Sequence, residues 1–247
     1  MALNVDNSKS AGQFATTHWS VIRLAGEVTS AQSAAALEKL CRAYWQPIFF
    51  FARRKGWGEE DAKDLTQQFF ARLLERNDFG NLDPGRGKFR TFMLSAFTHF
   101  LANEYDRITA LKRGGRQTII SLEEFSPDEL SDACADAQTA SGLLFDLNWA
   151  RTIVQSALRA LKQEMTAARK ETQFEALKPF LTATAGEADY AAVAPKLGVG
   201  ASSVPVLVHR LRQRYRELVH DEVAQTVSSP VELEEEMRHL FAVLNQG

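Results

Sequence analysis

Cysteine is scarce in this 247-residue chain: Cys41 and Cys134 are the only two, and neither has a second thiol within three residues. That excludes a CxxC zinc site and a dense disulfide framework, and makes a reducing cytoplasm the expected compartment. The five histidines, at 18, 99, 209, 220 and 239, form no ligand pair at i, i+4 spacing. A phosphate-cradling glycine loop and a nucleophile elbow are missing as well. Catalytic residues, a resident metal, a cofactor and a small-molecule substrate are therefore not expected, and the chain does not read as an enzyme. No run reaches the roughly 18–20 apolar residues of a membrane span, and no basic segment followed by an apolar run opens the chain, so neither a membrane partner nor export is expected.

What is present is ample apolar material, 45% of residues, with 24% charged. That suffices for one large domain or two small ones with buried cores. The net charge of −2 conceals blocks of opposite sign: an excess of five basic residues over 36–116, of seven acidic residues over 117–148, of three basic residues over 149–226 and of three acidic residues over 227–247. Exposed charges are screened over about 10 Å at ordinary salt, so separated basic blocks can each meet a polyanion while the whole chain stays near neutral.

Apolar positions recur at helical spacing nearly throughout, which predicts an all-α chain. Residues 33–54 place Leu37, Leu40, Cys41, Tyr44, Trp45, Ile48, Phe49 and Ala52 on one face, with Pro47 expected to bend or break the helix and Gly56 and Gly58 to stop it. A second helix opens on Glu59, Glu60 and Asp61, anions suited to the positive end of the macrodipole, and buries Leu65, Phe69, Phe70, Leu73 and Leu74. A loop rich in turn residues spans Asn77–Lys88. In the third helix Phe89, Phe92, Met93, Ala96, Phe97, Phe100, Leu101 and Tyr105 are expected to face the core, leaving Arg90, Thr91, Ser95, Thr98, His99, Asn103 and Arg107 on the opposite side. Ser121–Gly142 is acidic and rich in Ser and Ala, poor core material that reads as a linker; about 25 extended residues reach roughly 80 Å. A second helical domain is expected from near Phe145, its first stripe running Trp149, Ile153, Val154, Ala157, Leu158, Leu161 and Met165.

Near the end, Asp189–Leu197, the turn Gly198-Val199-Gly200 and Ser203–His220 have helix-turn-helix spacing. The second helix is expected to bury Val204, Leu207, Val208, Leu211, Tyr215 and Leu218. Ser202, Ser203, Val206, His209, Arg210, Gln213 and Arg214 would then face a duplex groove, the first turns reaching base edges and the arginines phosphates.

The order of the pieces carries a resemblance. Asp61-Ala-Lys-Asp-Leu-Thr-Gln-Gln-Phe-Phe70, Ala71-Arg-Leu-Leu74, Asp83-Pro-Gly-Arg-Gly-Lys-Phe-Arg90, Leu197-Gly-Val199 and Val208-His-Arg-Leu-Arg-Gln-Arg-Tyr-Arg-Glu-Leu218 resemble an extracytoplasmic-function (ECF) sigma factor of RNA polymerase. Phe14-Ala-Thr-Thr-His-Trp-Ser20, Phe100-Leu-Ala-Asn-Glu104, Lys112-Arg-Gly-Gly115 and Ala224-Gln-Thr-Val227 extend the likeness to a longer-chain subgroup.

The resemblance implies two helical domains joined by an acidic linker: an extension over 1–30, a region 2 domain over 31–113, the linker over 114–142, a region 4 helix-turn-helix domain over 143–227 and an acidic C-terminal helix over 228–247. It implies core RNA polymerase and promoter DNA as partners, with Asp61, Asp64, Leu65, Gln67, Gln68 and Arg72 docking on polymerase. Arg86, Lys88, Arg90, Thr91, Ser95, Thr98, His99, Asn103 and Arg107 would hold the minus-10 element, and the outward face of the helix-turn-helix would read the minus-35 element. It leaves room for an anti-sigma factor or another regulatory protein as a further partner. Gly200 and Val204-Pro205 depart from the family's pattern at the recognition helix, as do Thr98 and His99 at the minus-10 face. Pro205, lacking an amide hydrogen, fits only within the first turn of its helix, with Ser202 or Ser203 available to cap it. A stand-alone helix-turn-helix regulator and a helical adaptor that binds only protein are the competing classes. The amphipathic C-terminal helix reads first as the cover of a domain surface; the competing reading is that it, or the Phe14–Leu24 segment, modulates access to the DNA-reading surfaces, so that deleting 228–247 changes promoter affinity without unfolding the chain.

Overall fold

The computed structural model describes residues 31–75, 89–112, 140–182, 186–227 and 229–246. Helices account for most of them, and no strand occurs among the described residues. In chain order they are α1 (Ala31–Arg54), α2 (Glu59–Glu75), α3 (Phe89–Lys112), α4 (Ala140–Ala167), α5 (Glu171–Leu177), α6 (Glu187–Leu197), α7 (Val204–Ala224) and α8 (Pro230–Gln246), with short 3₁₀ turns at Lys178–Leu181 and Ala201–Ser203. No single helix among the described residues is long and apolar enough to cross a membrane. The chain divides into two compact units, one formed by Met1–Thr152 with Ala224–Gly247 and the other by Ile153–Val223.

In the first unit α1, α2 and α3 pack on one another around aromatic rings. Phe69 on α2 meets Phe97 and Phe100 on α3 at ring separations of 5.1 and 5.7 Å, Phe51 on α1 reaches Phe97 at 6.1 Å, and Trp45 stacks on Phe70 at 5.7 Å. Burying a phenylalanine contributes roughly 1.5–3 kcal/mol, and such ring pairs add about 0.5–1.5 kcal/mol more, so these helices are held mainly by their aromatic faces. Pro47 does not break α1, which runs unbroken from 31 to 54. The cost of a proline inside a helix, about 3 kcal/mol, is offset here by the complete burial of Tyr44, Ile48, Phe51 and Ala52 around it. Gly56 then ends the helix as expected: its φ of 97° suits only glycine, and the Gly56 N–H to Arg53 and Trp57 N–H to Ala52 carbonyl bonds close a Schellman turn.

The first unit also holds two segments expected elsewhere. Phe145 and Trp149, placed by the sequence at the head of the second domain, are fully buried in the first, with Phe145 6.4 Å from both Tyr44 and Phe51. Helix α4 continues through the division, which falls between Thr152 and Ile153. The C-terminal helix α8 is likewise part of the first unit and buries Leu233, Glu236 and Leu240. The extension over 1–30 and nearly all of the expected linker lie outside the described residues.

The second unit gathers Ile153, Ala157 and Leu161 of α4 with Phe174, Leu177, Phe180, Ala194, Val204, Val208, Leu211 and Leu218. Two polar contacts fix α7 in it: Tyr215 Oη donates to the Val154 carbonyl at 2.9 Å, and Arg212 Nε to the Phe180 carbonyl at 2.8 Å.

Candidate nucleic-acid interface

Helix α6 starts at Gly186, whose N–H donates to the Asp189 carboxylate at 2.9 Å, satisfying one of the donors that every helix N-terminus leaves open. It ends at Gly198, in the left-handed region at φ 63°, where the Gly198 and Val199 N–H groups reach back to the Pro195 and Ala194 carbonyls. Residues with a Cβ are strained at that φ, so the sharp stop is written in glycine. Gly200, extended, opens the 3₁₀ turn Ala201–Ser203, and α7 follows directly. Across this break the axes of Ala188–Leu197 and Ala201–Ala224 turn through 101°, within the range of about 90–120° that defines a helix-turn-helix. Pro205 falls in the first turn of α7, where its missing amide hydrogen removes no helical bond. The N-cap of the 3₁₀ turn is Gly200, which has no side chain to cap it.

Helix α7 buries Val204, Val208, Leu211 and Leu218, half-buries Leu207 and Tyr215, and exposes Ser202, Ser203, Val206, His209, Arg210 and Gln213 just before and along its outer face. Val206, half exposed at 50%, supplies an apolar group of the kind that contacts a thymine methyl. Arg210 is exposed with no ion pair among the described residues; Arg214 differs, since its guanidinium is bound to Glu164 and Glu217.

On α2, Asp61, Asp64, Gln67 and Gln68 are exposed while Leu65, Phe69 and Thr66 lie beneath, the Thr66 hydroxyl donating to the Ala62 carbonyl. Arg72 is committed to α3, its guanidinium 2.8 Å from the buried Glu104 and 5.0 Å over the Phe100 ring. Arg107 pairs with the same carboxylate at 2.7 Å.

The α3 face expected to hold the minus-10 element differs from its expected exposure at two positions. Arg90 and Ser95 are buried, whereas Tyr105, expected in the core, is 63% exposed and Phe92 only half-buried. The face turned inward is rotated: Arg90 lies in register with Leu94, Phe97 and Leu101 at i+4, i+7 and i+11, and Leu94 and Glu104 take the inward places assigned to Phe92 and Tyr105. Arg90 bonds Asp146 and, through Nε at 3.2 Å, Glu236, while the Trp149 ring lies 5.4 Å from its guanidinium. Burial works against the charge of Arg90, but Glu236 and Asp146 outweigh it and hold its pKa above the ordinary value. The other Asp146 oxygen is 2.9 Å from His239 Nε2. Thr91, Thr98, His99 and Asn103 are half-buried, Arg107 exposed, and Thr98 Oγ1 donates to the Leu94 carbonyl. Arg86 and Lys88 lie outside the described residues. Sequence reasoning missed Asp146, Glu236 and His239 altogether. The one signal for Arg90 was Leu94, an unassigned leucine one turn on.

No group of three or more His, Cys, Asp or Glu side chains among the described residues is placed to hold a metal ion. These features define an all-α chain with helix-turn-helix geometry in its second unit. No protein-family model matches the chain, and neither a curated protein nor a solved structure matches it.

Proposed function

We propose that the protein is a sigma factor of the extracytoplasmic-function type, which binds core RNA polymerase and directs it to promoters. The observation that carries the reading is the outer face of α7, presenting Val206, His209, Arg210 and Gln213 after a 101° glycine turn. It stands in a chain whose ordered motifs, from Phe14 to Val227, resemble that family. In this reading the second unit reads the minus-35 element in duplex DNA, Val206 and Gln213 meeting base edges and Arg210 a phosphate. The exposed row Asp61, Asp64, Gln67 and Gln68 on α2 meets polymerase. Thr91, Thr98, His99, Asn103 and Arg107 on α3 hold the minus-10 strand, and the acidic segment over 114–142 joins the two domains. Separating strands costs a few kcal/mol per unpaired base, which stacking and polar contacts to the extruded bases offset without nucleotide hydrolysis.

The test is retention of core polymerase by the immobilised full chain. Asp64→Lys with Gln68→Ala is expected to weaken retention on the order of tenfold, about 1.4 kcal/mol. Failure of the unaltered chain to retain polymerase contradicts the proposal.

A further inference from the structure

Arg210 and Arg214 stand one helical turn apart on α7, and by spacing alone both belong to the DNA-facing side. Their surroundings differ. The Arg214 guanidinium forks onto Glu164 of α4, with Nη2 to Oε1 at 2.6 Å and Nε to Oε2 at 2.8 Å, while its third nitrogen, Nη1, reaches Glu217 at 3.0 Å. Both oxygens of Glu164 are thereby occupied. The other Glu217 oxygen accepts from the Gln213 amide at 3.2 Å. Fork-to-fork pairing is the strongest arrangement open to a guanidinium, and a phosphate would have to displace two carboxylates to replace it. The group carries a net negative charge, one arginine against two glutamates, so it repels a phosphate rather than attracting one. The hydrogen bond from Arg214 pulls the Glu164 carboxyl below the usual range, and bonds from Arg214 and Gln213 do the same for Glu217, so both remain ionised at neutral pH.

We infer that Arg214 is a positioning residue: bound by Glu164 and Glu217, it braces the reading helix α7 against α4 and stays off the DNA backbone, leaving Arg210 to make the phosphate contact. The inference rests on the reading of α7 as a duplex-binding helix and says which of its arginines touches DNA. It also makes Glu164 a brake on affinity, since loss of that carboxylate leaves Arg214 held by Glu217 at Nη1 alone and opens its Nε and Nη2 edge to a phosphate.

The experiment uses the full chain and a labelled mixed-sequence duplex of about 30 base pairs, roughly three turns, with affinity followed against salt concentration. Each phosphate contact contributes about 0.9 to the slope of log affinity on log salt. Arg210→Ala is expected to flatten the slope by about that amount, and Arg214→Ala to leave it unchanged. Glu164→Gln is expected to steepen it by about 0.9 and to raise affinity about three- to tenfold at 0.1 M salt. The gain should vanish when Glu164→Gln is made in the Arg214→Ala background, a cycle that separates release of Arg214 from the simple loss of a negative charge. All these side chains are at least 43% exposed or lie on the outer face of α7, so folding is not at risk. Two results overturn the inference while DNA binding stands: Arg214→Ala flattening the slope as much as Arg210→Ala, or the Glu164→Gln gain persisting without Arg214. Absence of salt-dependent binding by the unaltered chain overturns the duplex-binding reading and this inference with it.

Discussion

Arg90 is 8% exposed and Glu236 2%, although 146 positions separate them in the chain. Removing Glu236 leaves Arg90 with Asp146 as its remaining carboxylate, so the cost is that of leaving buried guanidinium donors without an acceptor, about 1–3 kcal/mol. Glu236→Ala is therefore expected to destabilise the first unit by about that amount in urea titration, whereas a loss below about 1 kcal/mol would put the pair among solvent-screened ones. Of this cluster the sequence displayed only the arginine. Helical periodicity placed Phe89, Met93, Phe97 and Phe100 in the core correctly, because apolar recurrence is a local signal. It put Arg90 on the solvent side because charge is an unreliable marker of exposure when its partners come from α4 and α8. The same limit hid the ties of Arg72 and Arg107 to Glu104 and of Arg214 to Glu164.

Helix ends follow from backbone geometry, and here the glycines were legible. Gly56 and Gly198 adopt positive φ and close Schellman turns where the sequence suggested stops. The end of α4 gave no such signal. Arg169 occupies the equivalent place at φ 58°, with Arg169 N–H to Thr166 and Lys170 N–H to Met165 carbonyl bonds. A non-glycine residue there is strained by roughly 1–2 kcal/mol, part of which glycine returns as chain entropy. Arg169→Gly is thus expected to stabilise the second unit by about 0.5–1 kcal/mol, read from the midpoint of chemical unfolding; a destabilised variant would contradict the assignment of the turn. Helix α8 carries the larger consequence. An amphipathic acidic tail left open a domain cover and a removable modulator, and α8 supplies Leu233, Leu240 and the Glu236 partner of Arg90 to the first unit's interior, as a cover does. Deleting 228–247 is accordingly expected to lower the stability of that unit by several kcal/mol, since it removes the buried Leu233 and Leu240 as well as the Glu236 partner of Arg90. Cooperative unfolding at an unchanged midpoint would refute this and restore the modulator view.

At the scale of the molecule, an all-helical chain with a helix-turn-helix near its end was readable because both depend on short-range patterns: period 3.6, glycine punctuation and the offset between α6 and α7. The allocation of segments to units was not, because a helix that crosses a division keeps its periodicity. Trp149 and Ile153 lie on one continuous stripe of α4 yet belong to different cores. The proposed function combines a polymerase-docking face on α2, the minus-10 face of α3 and a duplex-reading face on α7, and each alone admits a simpler use. Only their joint action distinguishes a sigma factor from a regulator that binds DNA alone or an adaptor that binds protein alone. The most direct measurement is run-off transcription by core polymerase on DNA from the protein's own genome, with and without the full chain. Discrete start sites that appear only when the chain is added, and that weaken with Arg210→Ala, are the predicted result. Transcripts identical with and without it would contradict the account.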